Sequence, residues 1–179
     1  IPKAVKMIQQ NLSLNQMIAD VFELALGDYD GQGEIFFSEG TDFATSVTVN
    51  QNTTPDQARS SRMLIKVSKA ESILIERKKQ IPDLIKLDVE TFEPEGLQGF
   101  GNLFPRKAIF LIEVLSSINA EKLADFFPES EFDFYNIDDA KKSFRKTDKL
   151  EKSDFYNALI VPKETMFNFD FLRLPQKGE

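Results

Sequence analysis

A chain of 179 residues, 41% hydrophobic and 28% charged, can bury one core of ordinary domain size and is too apolar to be disordered. Its net charge of −7 and scattered basic clusters, such as Arg77-Lys78-Lys79, do not suit a phosphate backbone and count against nucleic acid as a partner. It has no cysteine and no histidine, which removes disulfides, thiolate nucleophiles, thiolate zinc sites and histidine-based triads.

Acid–base chemistry therefore falls to carboxylates, lysine or tyrosine, and any metal must be a hard one bound through oxygen. The absence of cysteine is compatible with a reducing cytosol, and a cytoplasmic location is expected. The longest apolar run, Ala108–Leu115, is interrupted by Glu113 and is far too short to span a bilayer.

In chain order, Ala4, Val5, Ile8 and Leu12 recur at helical spacing behind Pro2, which predicts an amphipathic helix over residues 2–15. Ala19–Leu26 reads as a buried strand closed by Gly27, and Asp28–Gly33 (DYDGQG) as turn chemistry. Glu34–Ser38 and Thr45–Val49 are Phe-, Val- and Thr-rich and read as strands. The polar stretch 50–61 is expected to be a mobile loop. A strand at Met63–Val67 and a helix at Ala70–Gln80 come next, then a strand at Asp83–Val89 and a helix at Glu93–Leu103. The remainder reads as strand Ala108–Leu115, helix Asn119–Phe127, and strands Phe132–Ile137 and Asn157–Pro162. Alternating strands and helices over the last hundred residues imply βαβ units and a sheet with parallel pairs. Most of the 17 phenylalanines are expected to fill its core. No internal repeat or domain boundary is visible, so residues 1–179 read as a single domain.

Asp28–Glu39 (DYDGQGEIFFSE) approaches a calcium-loop pattern, with acids at positions one and three, Gly33 at six and Glu39 at twelve. Gln32 at position five, a β-branched exit segment containing Gly40, and the lack of a second loop favour a plain turn between two strands. A calcium-binding module remains the alternative that this segment offers.

The segment Asp83–Gly99 (DLIKLDVETFEPEGLQG) carries the strongest functional signal: an apolar strand runs into Asp88, Glu90, Glu93 and Glu95. Side chains alternate along a strand, so Leu84, Lys86, Asp88 and Glu90 are expected on one side, with Ile85, Leu87 and Val89 on the other. Asp88 and Glu90 then converge at the carboxyl end of the strand, where ligands bind in open α/β sheets. Glu93 and Glu95 open a helix, and complementing its dipole accounts for both. Lys86 is placed to pair with Asp88.

Ile85-Lys86-Leu87-Asp88-Val89-Glu90-Thr91-Phe92-Glu93, then Leu97-Gln98-Gly99, then a strand ending in Glu113, resembles the FkbM family of methyltransferases. The likeness extends to Asn11–Asn15, to Ala25-Leu26-Gly27-Asp28 with Gly31, to Thr45-Ser46 and to Asn157–Pro162, and so covers nearly the whole chain. It departs at Thr91, where the family has glycine, a residue that permits positive φ or close approach of a ligand.

The resemblance implies an α/β fold: a Rossmann-like class I methyltransferase sheet with helices on both faces. The family's opening strands and Gly-rich loop are expected upstream of Ile1, which makes this chain the C-terminal part of such a domain. It further implies S-adenosylmethionine as cofactor and transfer of a methyl group to a hydroxyl of a small molecule or glycan. Sugar, polyketide, lipid and peptide hydroxyls all fit as acceptor, and nothing in the sequence sets an oligomeric state. Asp88, Glu90 and Glu113 are the implied catalytic residues: Asp88 or Glu90 takes the hydroxyl proton, directly or through a bound divalent cation, and Glu113 orients the acceptor. Ala25, Leu26 and Gly27 are implied to lie along the adenine, with Asp88 also on the cofactor. A methyltransferase-like binding domain without activity is the other reading that a missing Gly-rich loop allows.

Overall fold

The protein, seen as a computed structural model, is described over residues 2–37 and 61–165. Its elements run α1 (Pro2–Leu14), β1 (Ala25–Leu26), β2 (Gly31–Phe37), β3 (Ser61–Ser68), α2 (Ala70–Glu76), β4 (Leu84–Leu87) and α3 (Glu93–Gln98). A 3₁₀ turn at Gly101–Leu103 leads to β5 (Ile109–Glu113), α4 (Ser117–Ala124), β6 (Phe132–Asp138), β7 (Ser143–Thr147) and β8 (Asn157–Pro162). The expected strand Thr45–Val49, the polar stretch 50–61 up to its last residue, and Glu39 lie outside the described residues.

The strands form two sheets, ordered β1-β3-β2 and β4-β5-β8-β6-β7. β4 and β5 are parallel and joined through α3, whereas β8 enters antiparallel between β5 and β6. The result is the mixed α/β architecture expected of a methyltransferase-like fold, with parallel pairing, among the described residues, confined to β4–β5 and β1–β3.

Alternation decides which face of the larger sheet is buried. Ile85 and Leu87 on β4 are buried while Leu84 and Lys86 are exposed, and register places Phe110, Ile112, Ala158 and Ile160 on the same face. Leu97 of α3 and Leu123 of α4 close over this face with no exposed surface. At its far end the rings of Phe104, Phe110, Phe127 and Phe132 pack at 4.9–5.9 Å between centroids, in stacked and edge-on pairs. Seven phenylalanines thus belong to one core among the described residues, counting Phe100, Phe126 and Phe134.

Helices α2 and α3 end at Glu76 and Gln98, short of the expected Gln80 and Leu103, and two further segments differ from the sequence reading. Of Ala19–Leu26, only Ala25 and Leu26 pair, in parallel with Val67 and Ser68. The chain bends just before them, where the Leu24 amide bonds the Phe22 carbonyl, and residues 17–20 are exposed. The other difference is β7, which pairs antiparallel with β6 as an edge strand. Its sequence, SFRKT, has too little apolar alternation to be read as a strand. Among the described residues no helix is long and apolar enough to cross a membrane.

Candidate active site

The carboxyl ends of the parallel strands from both sheets meet at one place. Gly27, just past β1, lies so close to its neighbours that a Cβ there would stand 2.8 Å from Val67 Cγ1 and 3.4 Å from the Phe92 ring. Phe92 itself follows β4, so the contact joins the two sheet ends. Gly99, at the end of α3, comes closer still: a Cβ on it would fall 2.1 Å from the Gly27 carbonyl oxygen. Gly27 is therefore buried by protein, while Leu26 packs against the core and Ala25 is half-buried.

Turn residues 28–30 are anchored rather than open. Asp30 accepts from Ser68 Oγ at 2.6 Å, from the Lys69 amide at 3.1 Å and from Ser72 Oγ at 2.6 Å. These donors, Ser68 foremost, hold its carboxyl at about 2, below the usual carboxylate range. Gly31 and Gly33 lie in the β2 ladder, opposite Val67 and Ile65. The calcium-loop alternative therefore fails over residues 28–37, because its third-position acid is already bonded and its turn glycine is in extended backbone. Residues 28–30 form a turn between strands, as expected, but Gly31–Gly33 already belong to β2, and β1 and β2 flank β3 instead of pairing with each other.

β4 stops at Leu87, and the next residues leave the strand sharply. Glu90 and Thr91 take φ of 57° and 76°, both left-handed, where a β-branched side chain is strained. The position that resembles the family's glycine is thus one that glycine would occupy without cost. Alternation carries Asp88 to the Lys86 side, and the two side chains form an ion pair, both partly exposed. Glu90, by contrast, is placed by the left-handed turn and not by alternation.

Glu93 is the residue the sequence reading undervalued. It has no exposed surface, and its Oε1 accepts from the amides of Val89 at 3.0 Å and Thr91 at 3.3 Å. Oε2 accepts from Asn119 Nδ2 at 2.7 Å. Asn119 is itself fixed in the first turn of α4, where its amide donates to the N-cap Ser116 Oγ at 3.1 Å. Burial pushes the Glu93 carboxyl up and the donors oppose the shift, Asn119 most strongly. A helix-opening glutamate looks like a dipole partner in sequence; its reach backward to two amides appears only once the turn is formed.

Glu113 ends β5, the parallel neighbour of β4, and is half-buried. Its carboxyl is pushed up to about 7, first by burial, then by the charges of Asp88, Glu90 and Glu93 and by a hydrogen bond with Asp88. The three carboxylates singled out in sequence are thus brought within electrostatic reach of one another. Among the described residues no group of three or more carboxylates is placed to hold a metal ion.

Beside this centre a cleft of about 420 Å³ opens between the turn after β1 and helices α3 and α4, lined by Asp28, Pro94, Glu95, Gln98, Lys122 and Phe126. Asp88, Glu90 and Glu113 do not line it. Oε2 of Glu95 is out of reach of solvent and has no hydrogen-bond partner among the described residues. The acids at this cleft, Asp28 and Glu95, suit a ligand that brings hydroxyl or amine donors and positive charge.

The sequence matches the family described as the methyltransferase FkbM domain over residues 2–146, and the chain belongs to that family. No curated protein and no solved structure matches it.

Proposed function

We propose that this FkbM-domain methyltransferase is an S-adenosylmethionine-dependent O-methyltransferase of the cytoplasm, acting on a hydroxyl of a small molecule or glycan. The observation that carries this reading is the coupling of Asp88 and Glu113 across the ends of two adjacent parallel strands. A carboxyl held near 7 can take a proton from a hydroxyl at neutral pH, which an ordinary carboxylate does poorly. The bound cofactor would supply an electrophilic methyl group on a sulfonium. Asp88 and Glu113 would receive the acceptor's proton as the new bond forms, the two carboxyls holding it between them. Glu90 would add negative charge beside the reacting centre, and Asp28, Glu95 and Gln98 would hold the cofactor's donors in the cleft. Ala25, Leu26 and Gly27 would shape the cleft from behind, since Gly27 is covered by Val67, Phe92 and Gly99.

The test is calorimetric titration of the full chain with S-adenosylmethionine, followed by transfer of a labelled methyl group to a panel of sugar, polyketide, lipid and peptide alcohols. Binding with transfer to one hydroxyl class supports the proposal. Transfer to amines or thiols alone would overturn the O-methylation.

A further inference from the structure

We infer that Glu93 is a positioning residue that sets where Asp88 and Glu90 stand relative to Glu113. The inference rests on the reading of those three carboxylates as the reacting centre. Two parallel strands end side by side, and their separation there depends on the loops that follow. The loop after β4 contains two consecutive left-handed residues, neither of them glycine, which costs conformational energy unless something holds it. Glu93 supplies that hold with one oxygen on the amides of Val89 and Thr91, residues either side of Glu90.

Its other oxygen is fixed by Asn119, which belongs to the helix that follows β5. The carboxylate is therefore a strut between the two strand ends, fully buried and bonded only to donors. Neither a helix-dipole role nor a simple cap requires the Asn119 bond or the contact with two amides upstream of the helix. Charge-assisted hydrogen bonds of this kind are stronger than neutral ones and costly to leave half-made.

Glutamine at position 93 can keep one oxygen on the two amides and present its amide to Asn119, whose side chain turns over to accept. Alanine cannot. Amide hydrogen exchange on the full chain, with Glu93→Gln, Glu93→Ala and Asn119→Ala, separates the roles. Exchange at Val89 and Thr91 should quicken about tenfold or more in Glu93→Ala and much less in Glu93→Gln, with Leu87 and Ile112 nearly unchanged. Should Glu93→Ala fail to fold, Asn119→Ala should show the same local pattern to a smaller degree. Equal loss of protection along β4 and β5, or no change at Val89 and Thr91, would overturn the inference. In the methyl-transfer assay kcat should fall about a hundredfold in Glu93→Ala, with the cofactor KM little changed and rescue by glutamine. Wild-type protein that neither binds the cofactor nor transfers methyl would count against the enzyme reading, while the exchange pattern would still decide the strut.

Discussion

Glu113 and Asp88 stand at the ends of β5 and β4, neighbouring parallel strands, and the Glu113 carboxyl is held up first by burial and next by the charge of Asp88. Burial of Glu113, with the negative charge of Asp88, Glu90 and Glu93, favours its protonated form. Lys86 partly neutralises Asp88 from the exposed side. Glu113 is therefore a carboxyl whose protonation changes near neutral pH.

If the pair takes the acceptor's proton, Asp88→Asn and Glu113→Gln should each lower kcat for methyl transfer by about a hundredfold or more while the protein stays folded. Labelled-methyl transfer with circular dichroism as a folding control checks this. Near-normal turnover in either variant would remove that residue from the mechanism.

The raised Glu113 carboxyl also fixes two pH dependences. Transfer should rise with pH, with a midpoint near 7, as the pair loses its proton. Stability runs the other way. The folded value of about 7 lies above the ordinary glutamate value of 4.5, so the contribution is complete below 4.5 and is lost as pH rises through 7. Glu113→Gln should match wild type at pH 4 and exceed it at pH 8 by roughly 1 kcal/mol, the shift being discounted for partial exposure. Urea denaturation at the two pH values measures it; a difference of the opposite sign would mean that the carboxyl is not held protonated.

Asp30 gives the contrasting case. Its carboxyl is depressed to about 2 from 3.8, so its contribution is present above 3.8 and lost as pH falls through 2. Asp30→Asn should lower Tm at pH 7 and converge on wild type in strong acid. Millimolar calcium should leave the wild-type Tm unchanged, because Ser68, Lys69 and Ser72 already hold the only acid at the third loop position. A calcium-dependent rise in Tm would restore the loop as a metal site.

Much of this arrangement was legible in sequence where a pattern is local. Period-two alternation placed Ile85 and Leu87 inside and Lys86 outside, and β8 was found with its limits, Asn157–Pro162. The motif singled out Asp88, Glu90 and Glu113, and the charges of the first two act on the third. What was not legible depends on nonlocal partners. Asn119 lies 26 residues from Glu93, and no periodicity links them. The departure from alternation at Glu90 follows from left-handed backbone that Thr91 would not suggest by propensity, and β7 exists only because β6 offers it an edge.

Close packing behind the cleft makes a final prediction that compares three glycines. A Cβ on Gly99 would meet the Gly27 carbonyl oxygen at 2.1 Å, a backbone atom that cannot rotate aside. Neither backbone is free to yield: the Gly27 amide bonds the Ser68 carbonyl, the Gly99 amide bonds the Glu95 carbonyl, and the Gly99 carbonyl accepts from the Glu71 amide. Gly99→Ala should therefore cost about 2–4 kcal/mol and loosen the β1–α3 contact beside the cleft. At Gly96, inside α3, the nearest atoms to a Cβ are Leu26 and Leu87 methyls at 3.8 Å, ordinary contact distance. There alanine should stabilise by about 0.5–1 kcal/mol through helix propensity. At exposed Gly31 a Cβ would meet only the Tyr29 ring, at 3.4 Å, and the change should stay within about 0.5 kcal/mol. Chemical denaturation of the three variants gives the order directly, and a Gly99→Ala protein as stable as wild type would mean that the two sheet ends do not meet as described.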